Sequence, residues 1–219
     1  MASQDVYDVA FSPYQPGELV SSGTGHIRFW KMAETFTGTK LQGALGKFGK
    51  VDLSDVYACA EFPDGKVLSG SEPGQLLVWD GEFIKLIISQ ANGKPAHDGN
   101  IVTVYKDENE IVTAGVDGFI KIWDYTAINE AELSDTATVM YIPMKPKRTI
   151  FVGEGVSIRH MARRAEDWLV QDANGALWIV PYDAYSEPES IKCLMSFHAG
   201  AGTSRLIPPK PSTPRSVIF

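Results

Sequence analysis

One pattern recurs four times along this chain, each time in the same register, and only a repetitive β architecture accommodates it. Residues 19–30 read LVSSGTGHIRFW, residues 66–79 KVLSGSEPGQLLVW, residues 111–123 IVTAGVDGFIKIW and residues 169–180 LVQDANGALWIV. Each copy has an apolar pair, a step of small residues, a glycine turn and a run alternating towards a large apolar side chain. Gly25, Gly74, Gly118 and Gly175 stand five residues before Trp30, Trp79, Trp123 and Val180 respectively. In the fourth copy the tryptophan is Trp178, two places earlier, which keeps it on the same face of a strand because side chains alternate. Glycine tolerates the positive φ of a tight turn, so each copy predicts a β-hairpin.

Trp30, Trp79 and Trp123 are 49 and 44 residues apart, close to the roughly 40–45 residues of one four-stranded propeller blade. A strand is expected before each hairpin, at Val6–Phe11, Val56–Phe62, Ile101–Tyr105 and Val156–Met161. An outer strand is expected at Phe83–Ser89, Thr138–Met144 and Ile191–Ser196, whereas the glycine-rich stretch Thr35–Lys50 shows no clear strand. The expectation is an all-β fold, a WD-repeat β-propeller of about four four-stranded antiparallel blades that form part of a larger ring. The blades fall at about 5–50, 51–96, 97–150 and 151–197. A partial propeller then occupies 1–200 and a proline-rich tail 201–219, where four prolines between 208 and 214 cannot pair in a central strand. An unclosed ring leaves two sheet faces bare, which predicts that the isolated chain self-associates or needs neighbouring chain. A small closed ring of four blades is the alternative.

The third copy holds a set of polar residues that a propeller blade can use internally: His97, Thr113, Asp117, Trp123 and then Asp124. A buried imidazole and carboxylate must be paired or they destabilise the fold. The other copies are degenerate, with Pro73 and Asn174 where Asp117 stands, and are expected to rely on packing. Trp30, Trp79 and Trp178 are the blade-end aromatics of those copies. His, Asp and Thr together also suggest a catalytic relay, but a threonine nucleophile needs an exposed hydroxyl beside a base, and these lie inside a sheet.

The totals agree with a binding scaffold and exclude several other classes. Of the 219 residues, 44% are hydrophobic and 11% aromatic, enough for a packed core. Net charge is −7, and a nucleic-acid grip needs a basic face. The basic clusters Lys145, Lys147, Arg148 and Arg163, Arg164 are short and read as solvated loops. Cys59 and Cys193 are far apart and sit in short apolar stretches, so they read as free thiols in a reducing compartment. No apolar run reaches the roughly 18–20 residues that span a bilayer, and MASQDVYDVAF has no signal-peptide pattern. His26, His160 and His198 form no metal-ligand spacing, and Gly153-Glu154-Gly155 is a turn without the rest of a dinucleotide fingerprint. The acidic stretches Asp107–Glu110 and Glu130–Asp135 lack the alternating oxygens of a calcium loop. No catalytic residue, cofactor, metal, small-molecule substrate, nucleic acid or membrane is expected.

Beyond the repeat, the stretch Phe29–Lys50, FWKMAETFTGTKLQGALGKFGK, resembles the cilia- and flagella-associated protein forty-four family, large axonemal WD-repeat proteins. The likeness continues through LSGSEPGQLLVW at Leu68–Trp79, through Lys94–Asp124, through ANGALW at Ala173–Trp178 and SFHAG at Ser196–Gly200. KMAETFTGTKLQG is the specific part, because a WD blade does not demand it. In the blades this resembles, the histidine precedes the first strand and a turn carboxylate hydrogen-bonds it, and the hydroxyl and indole N–H extend the network. The resemblance implies a location on the axoneme of motile cilia and flagella. There, with a sister WD-repeat protein, the family tethers inner-arm dynein heads to the doublet microtubule. It also implies that this chain is a fragment, since the family's chains are far longer. HIRFW is similar to propellers of the echinoderm microtubule-associated-protein-like family, so direct microtubule binding is the second reading, and a general protein-interaction module the third.

Overall fold

The computed structural model describes residues 4–131, 139–184 and 188–196. Its strands form four sheets in chain order. Strands β1 (Val6–Phe11), β2 (Glu18–Gly23), β3 (His26–Thr35) and β4 (Gly38–Leu45) make the first blade. The second contains β5 (Cys59–Glu61), β6 (Val67–Gly70), β7 (Leu76–Asp80) and β8 (Phe83–Ser89). The third has β9 (Ile101–Asp107), β10 (Glu110–Gly115) and β11 (Phe119–Asp124), then, after the short helix α1 (Tyr125–Asn129) and strand β12 (Met140–Pro143), its outer strand β13 (Arg148–Phe151). Strands β14 (Ile158–Arg164), β15 (Asp167–Asp172), β16 (Leu177–Pro181) and β17 (Lys192–Met195) make the fourth.

The first strands contact one another in series, β1 to β5, β5 to β9 and β9 to β14, so they line a common axis. Among the described residues β14 makes no comparable contact with β1, and the four blades form an arc. Each joint between blades is apolar. Val20 and Ile27 of the first blade are buried with Val67, Leu77 and Trp79 of the second. Leu68, Leu76, Val78 and Leu86 pack with Ile101, Ile111 and Trp123. Val112, Ile120 and Ile122 pack with Trp168, Val170 and Val180. Two turn glycines serve the joints through close approach. A Cβ on Gly74 would meet the His97 carbonyl oxygen at 2.1 Å, and one on Gly118 the Val156 carbonyl oxygen at 2.5 Å. Their φ of 87° and 78° independently favours glycine.

Several elements differ from the sequence reading. Thr35–Lys50 does hold a strand, β4, which pairs with β3 from Arg28↔Leu45 out to Thr35↔Gly38. The outer strand of the third blade is Arg148–Phe151, paired with β11, and not Thr138–Met144. Residues 140–143 instead cross back to the second blade as β12 and run parallel to β8. The second sheet therefore has five strands, one of them parallel. Cys59 is buried, with its thiol pushed up to about 12 by burial, but Cys193 is exposed and not part of an apolar cluster. The tail 201–219 and His198 lie outside the described residues, as does part of Glu130–Asp135.

Candidate functional site

His97, Thr113, Asp117 and Trp123 are brought together in the third blade. Thr113 sits in the middle of β10 and Trp123 near the end of β11; Asp117 lies in the turn between those strands, and His97 in the loop before β9. The His97 ring nitrogen Nδ1 lies 3.0 and 3.1 Å from the two Asp117 carboxylate oxygens, and Nε2 lies 2.8 Å from Thr113 Oγ1. Trp123 Nε1 donates to Thr113 Oγ1 at 2.9 Å. The Asp117 carboxylate also accepts the backbone N–H of Asp98 at 3.0 Å and of Phe119 at 3.2 Å. Those bonds anchor the loop before β9 to the hairpin turn.

Burial lowers the basicity of His97 against the raising effect of Asp117, which favours the neutral imidazole at neutral pH. With Nδ1 carrying the proton, protons run in one direction: Trp123 to Thr113, Thr113 to His97, His97 to Asp117. Burial raises the Asp117 carboxyl, but the His97 hydrogen bond and the two backbone donors outweigh it and hold the group below its ordinary range. Lys121 completes the cluster from β11. Its amine donates to the Ala96 carbonyl at 2.6 Å and lies 4.0 Å from Asp117. The His97 side chain has no exposed surface and that of Asp117 only 8%. Such an arrangement holds the loop before β9 to the hairpin turn.

Trp30, Trp79 and Trp178 keep parts of this arrangement. Trp30 Nε1 donates to Ser21 at 2.8 Å and Trp79 Nε1 to Ser69 at 2.9 Å. Trp178 Nε1 donates to Asp172 at 3.1 Å, and the other oxygen of Asp172 accepts the N–H of Asn174 and of Ala176. These blades therefore have hydrogen bonds in addition to packing, which the sequence reading did not give them. Ser21 and Ser69 stand where Thr113 stands in its own copy, so the hydroxyl was visible in the register. Asp124 is placed differently, and its side chain accepts the Ala127 N–H and caps α1.

A second polar cluster, which sequence reasoning missed, joins the third and fourth blades. Glu110 of β10 accepts from Arg148 Nη2 at 2.5 Å, from Lys147 Nζ at 3.2 Å and from the Tyr182 hydroxyl. Burial raises the Glu110 carboxyl, and these donors outweigh it and hold it below its ordinary value. Arg148 lies over the Tyr182 ring at 4.3 Å, and Arg163 lies over both Tyr182 and Trp168 at 4.4 and 4.8 Å. Residues from distant parts of the chain meet here, so no local pattern announces them.

The main surface feature is the β3–β4 hairpin. Strand β3 has ten residues, whereas β7, β11 and β16 have five or six. Beyond the Trp30↔Gly43 pair the hairpin continues through Met32↔Leu41 to a turn at Phe36, whose side chain is fully exposed. Lys31 pairs with Glu18 at 2.7 Å, and the Met32 N–H donates to Gly17 at 2.8 Å, steadying the root. Nearly all of KMAETFTGTKLQG lies in this projection, outside the core.

Comparison with known proteins places the chain. A family model for the WD domain, G-beta repeat, matches residues 91–124. Cilia- and flagella-associated protein 44 of Mus musculus is 44% identical over 202 residues, covering 90% of this chain. The protein of that name from Chlamydomonas reinhardtii is 47% identical over 178 residues, covering 81%. The chain belongs to the cilia- and flagella-associated protein 44 family. It spans only about a tenth of those relatives, 11% of the mouse protein and 10% of the algal one. Echinoderm microtubule-associated protein-like 4 of Xenopus laevis is a more distant likeness, 28% identical over 141 residues, 58% of this chain and 15% of that protein. Among solved structures, the Cps50 (Swd1) β-propeller domain of Myceliophteria thermophila superposes with a TM-score of 0.62 at 15% identity, over 90% of this chain and 60% of that one. The fold is therefore a WD-repeat β-propeller arc.

Proposed function

We propose that the chain is a non-enzymatic scaffold of the axoneme in cilia and flagella, and that its blades present loops and a projecting hairpin to other axonemal proteins. The carrying observation is that the stretch most specific to the family, KMAETFTGTKLQG, is spent on an exposed hairpin and not on the core. Exposed residues that packing does not require are available for recognition. The finer role is that of a tether, which with a sister WD-repeat protein links inner-arm dynein heads to the doublet microtubule. The family resemblance supports this, and a rigid arc with several rims suits it.

Expression of the tagged chain in a ciliated cell tests the proposal. Axonemal enrichment that survives detergent extraction is expected, and enrichment lost on replacing Phe36 and Met32 by Ser would tie it to the hairpin. Uniform cytosolic signal from the chain, in cells where a longer form does enter the axoneme, would refute it for these four blades. The likeness to echinoderm microtubule-associated protein-like 4 favours a second reading, direct binding to microtubules. A net charge of −7 opposes a simple electrostatic grip on acidic tubulin tails. Saturable co-sedimentation of the purified chain with microtubules at physiological salt would decide for the second reading.

A further inference from the structure

The outer edge of the second blade lies between two internal joints and is held by both of its neighbours. Its strand β8, FIKLIIS, is largely buried, whereas the outer strands β4 and β17 of the first and fourth blades are exposed along most of their length. An apolar edge strand with an open row of N–H and C=O groups invites pairing by another chain. Here the row is filled from within. Lys47, coming from the first blade, bridges to Phe83 in parallel, and its N–H donates to the Glu82 carbonyl at 2.7 Å. Strand β12, coming from the third blade, runs parallel to Leu86–Ser89, and the Met144 N–H donates to the Ser89 carbonyl at 2.7 Å.

Strand β12 behaves as an occupant of this edge and not as a member of a blade. The third blade has its four strands without it. It is four residues long, and every other pairing between the described strands is antiparallel. Parallel pairing is slightly weaker per residue. Met140, Ile142 and Met144 are half-buried against the cluster that contains Leu86 and Ile88, whereas Tyr141 and Pro143 are exposed. The edge thus takes an apolar side chain at every second position. Because the Met144 N–H faces β8, alternation turns the backbone of Pro143 outward, where proline has no N–H to offer a further strand. Where the two chains diverge, a cleft of about 170 Å³ opens between Gln90 and Asn92 on one side and Met144 and Pro146 on the other. A longer strand in place of β12 would have room to continue there.

We propose that the β8 edge is a strand-docking site for an extended segment of a partner protein, bound in parallel with apolar side chains at alternate positions, and that β12 fills it in the free chain. Main-chain hydrogen bonds supply affinity in such strand addition, and the pockets for alternate side chains supply selectivity. The site is separate from the β3–β4 hairpin, and the axonemal reading neither requires it nor depends on it.

Two labelled peptides test the site on the purified 219-residue chain by fluorescence polarisation. One is VMYIPMK, residues 139–145 of this sequence; the other carries Met140→Val, Ile142→Val and Met144→Val. The wild-type chain is compared with the double variant Met140→Ser, Ile142→Ser, which weakens the resident strand. A site closed for part of the time binds with an affinity reduced by that fraction, so both peptides are expected to bind the variant about tenfold more tightly or better. Peptide binding should also slow amide exchange at Leu86–Ser89. A cooperative circular dichroism melt shows that the variant is folded; if it is not, Ile142→Pro, which removes one N–H facing β8, takes its place. Equal binding to wild type and variant, no binding to either, or slowed exchange elsewhere than β8 overturns the proposal. So does binding of the native-sequence peptide alone, which would make β12 a private strap and the edge no docking site.

Discussion

His97 is enclosed in the third blade, so its protonation is tied to whether that blade is folded. Its folded pKa lies below the ordinary 6.5 because burial disfavours the cation. The folded blade therefore binds this proton less readily than the unfolded chain, and stability falls as pH drops through 6.5 towards the lowered value. Asp117 acts in a separate, more acidic window: its contribution is present above 3.8 and is lost as pH falls below that towards its own depressed value. The melting temperature is thus expected to decline as pH is lowered from neutral through 6.5, and His97→Gln is expected to flatten that part of the profile. An unchanged slope in the variant would mean that another group titrates. Removing the acceptor, Asp117→Ala, leaves His97 and two backbone N–H groups short of a partner, and is expected to cost about 1–3 kcal/mol in urea denaturation. Pro73→Ala and Asn174→Ala should cost less, since neither side chain accepts the imidazole. How much of this was legible follows from the chain's own spacing. His97, Thr113, Asp117 and Trp123 stand at set offsets from one turn, so the third blade could be read directly. Asp172 could not, because it reaches Trp178 from the strand before the turn, where Asp117 sits inside it.

Among the elements, hairpins were legible and edges were not. The glycine turns and the alternation of LLVW or FIKIW are local signals, and β7 and β11 fall on them. Strand β4 has glycines at 38 and 43 and faces solvent along most of its length, so no apolar period marks it. Residues 140–143, MYIP, are more apolar than Arg148–Phe151 and drew the prediction of an outer strand. The structure uses them as one, but on the neighbouring blade, and a pairing between blades has no signature in the local pattern. The Glu110 cluster has the same non-local character and can be tested at this scale. Glu110→Gln removes the charge that Arg148 and Lys147 face and the best acceptor for Tyr182. The expected loss is about 1.5–3 kcal/mol, the range for hydrogen bonds to charged groups. It should appear as faster amide exchange in β15 and β16 with little change in β2 and β3. Uniform acceleration across all four blades would show that the cluster does not act locally at the joint between the third and fourth.

For the whole molecule, stability is approximately a sum over blades and the joints between neighbours, as in other repeat architectures. Position along the arc should then matter as much as residue type. Trp123 and Trp30 occupy corresponding places in their blades, and both indoles donate to a hydroxyl two strand positions into the hairpin partner. They differ in what lies across from them. Trp123 is enclosed by the second blade at 0% exposure, whereas Trp30 is only half-buried and faces outward, with Arg28 over its ring at 5.2 Å. Trp123→Ala opens a cavity inside a closed joint and is expected to cost about 3–5 kcal/mol. It should also divide thermal unfolding into two steps, the first and second blades separating from the third and fourth. Trp30→Ala removes contacts from one side only and should cost clearly less, with one transition retained. Equal losses in the two variants would mean that the Trp30 face is covered as the Trp123 face is, and the open arc would have to be redrawn as a closed one.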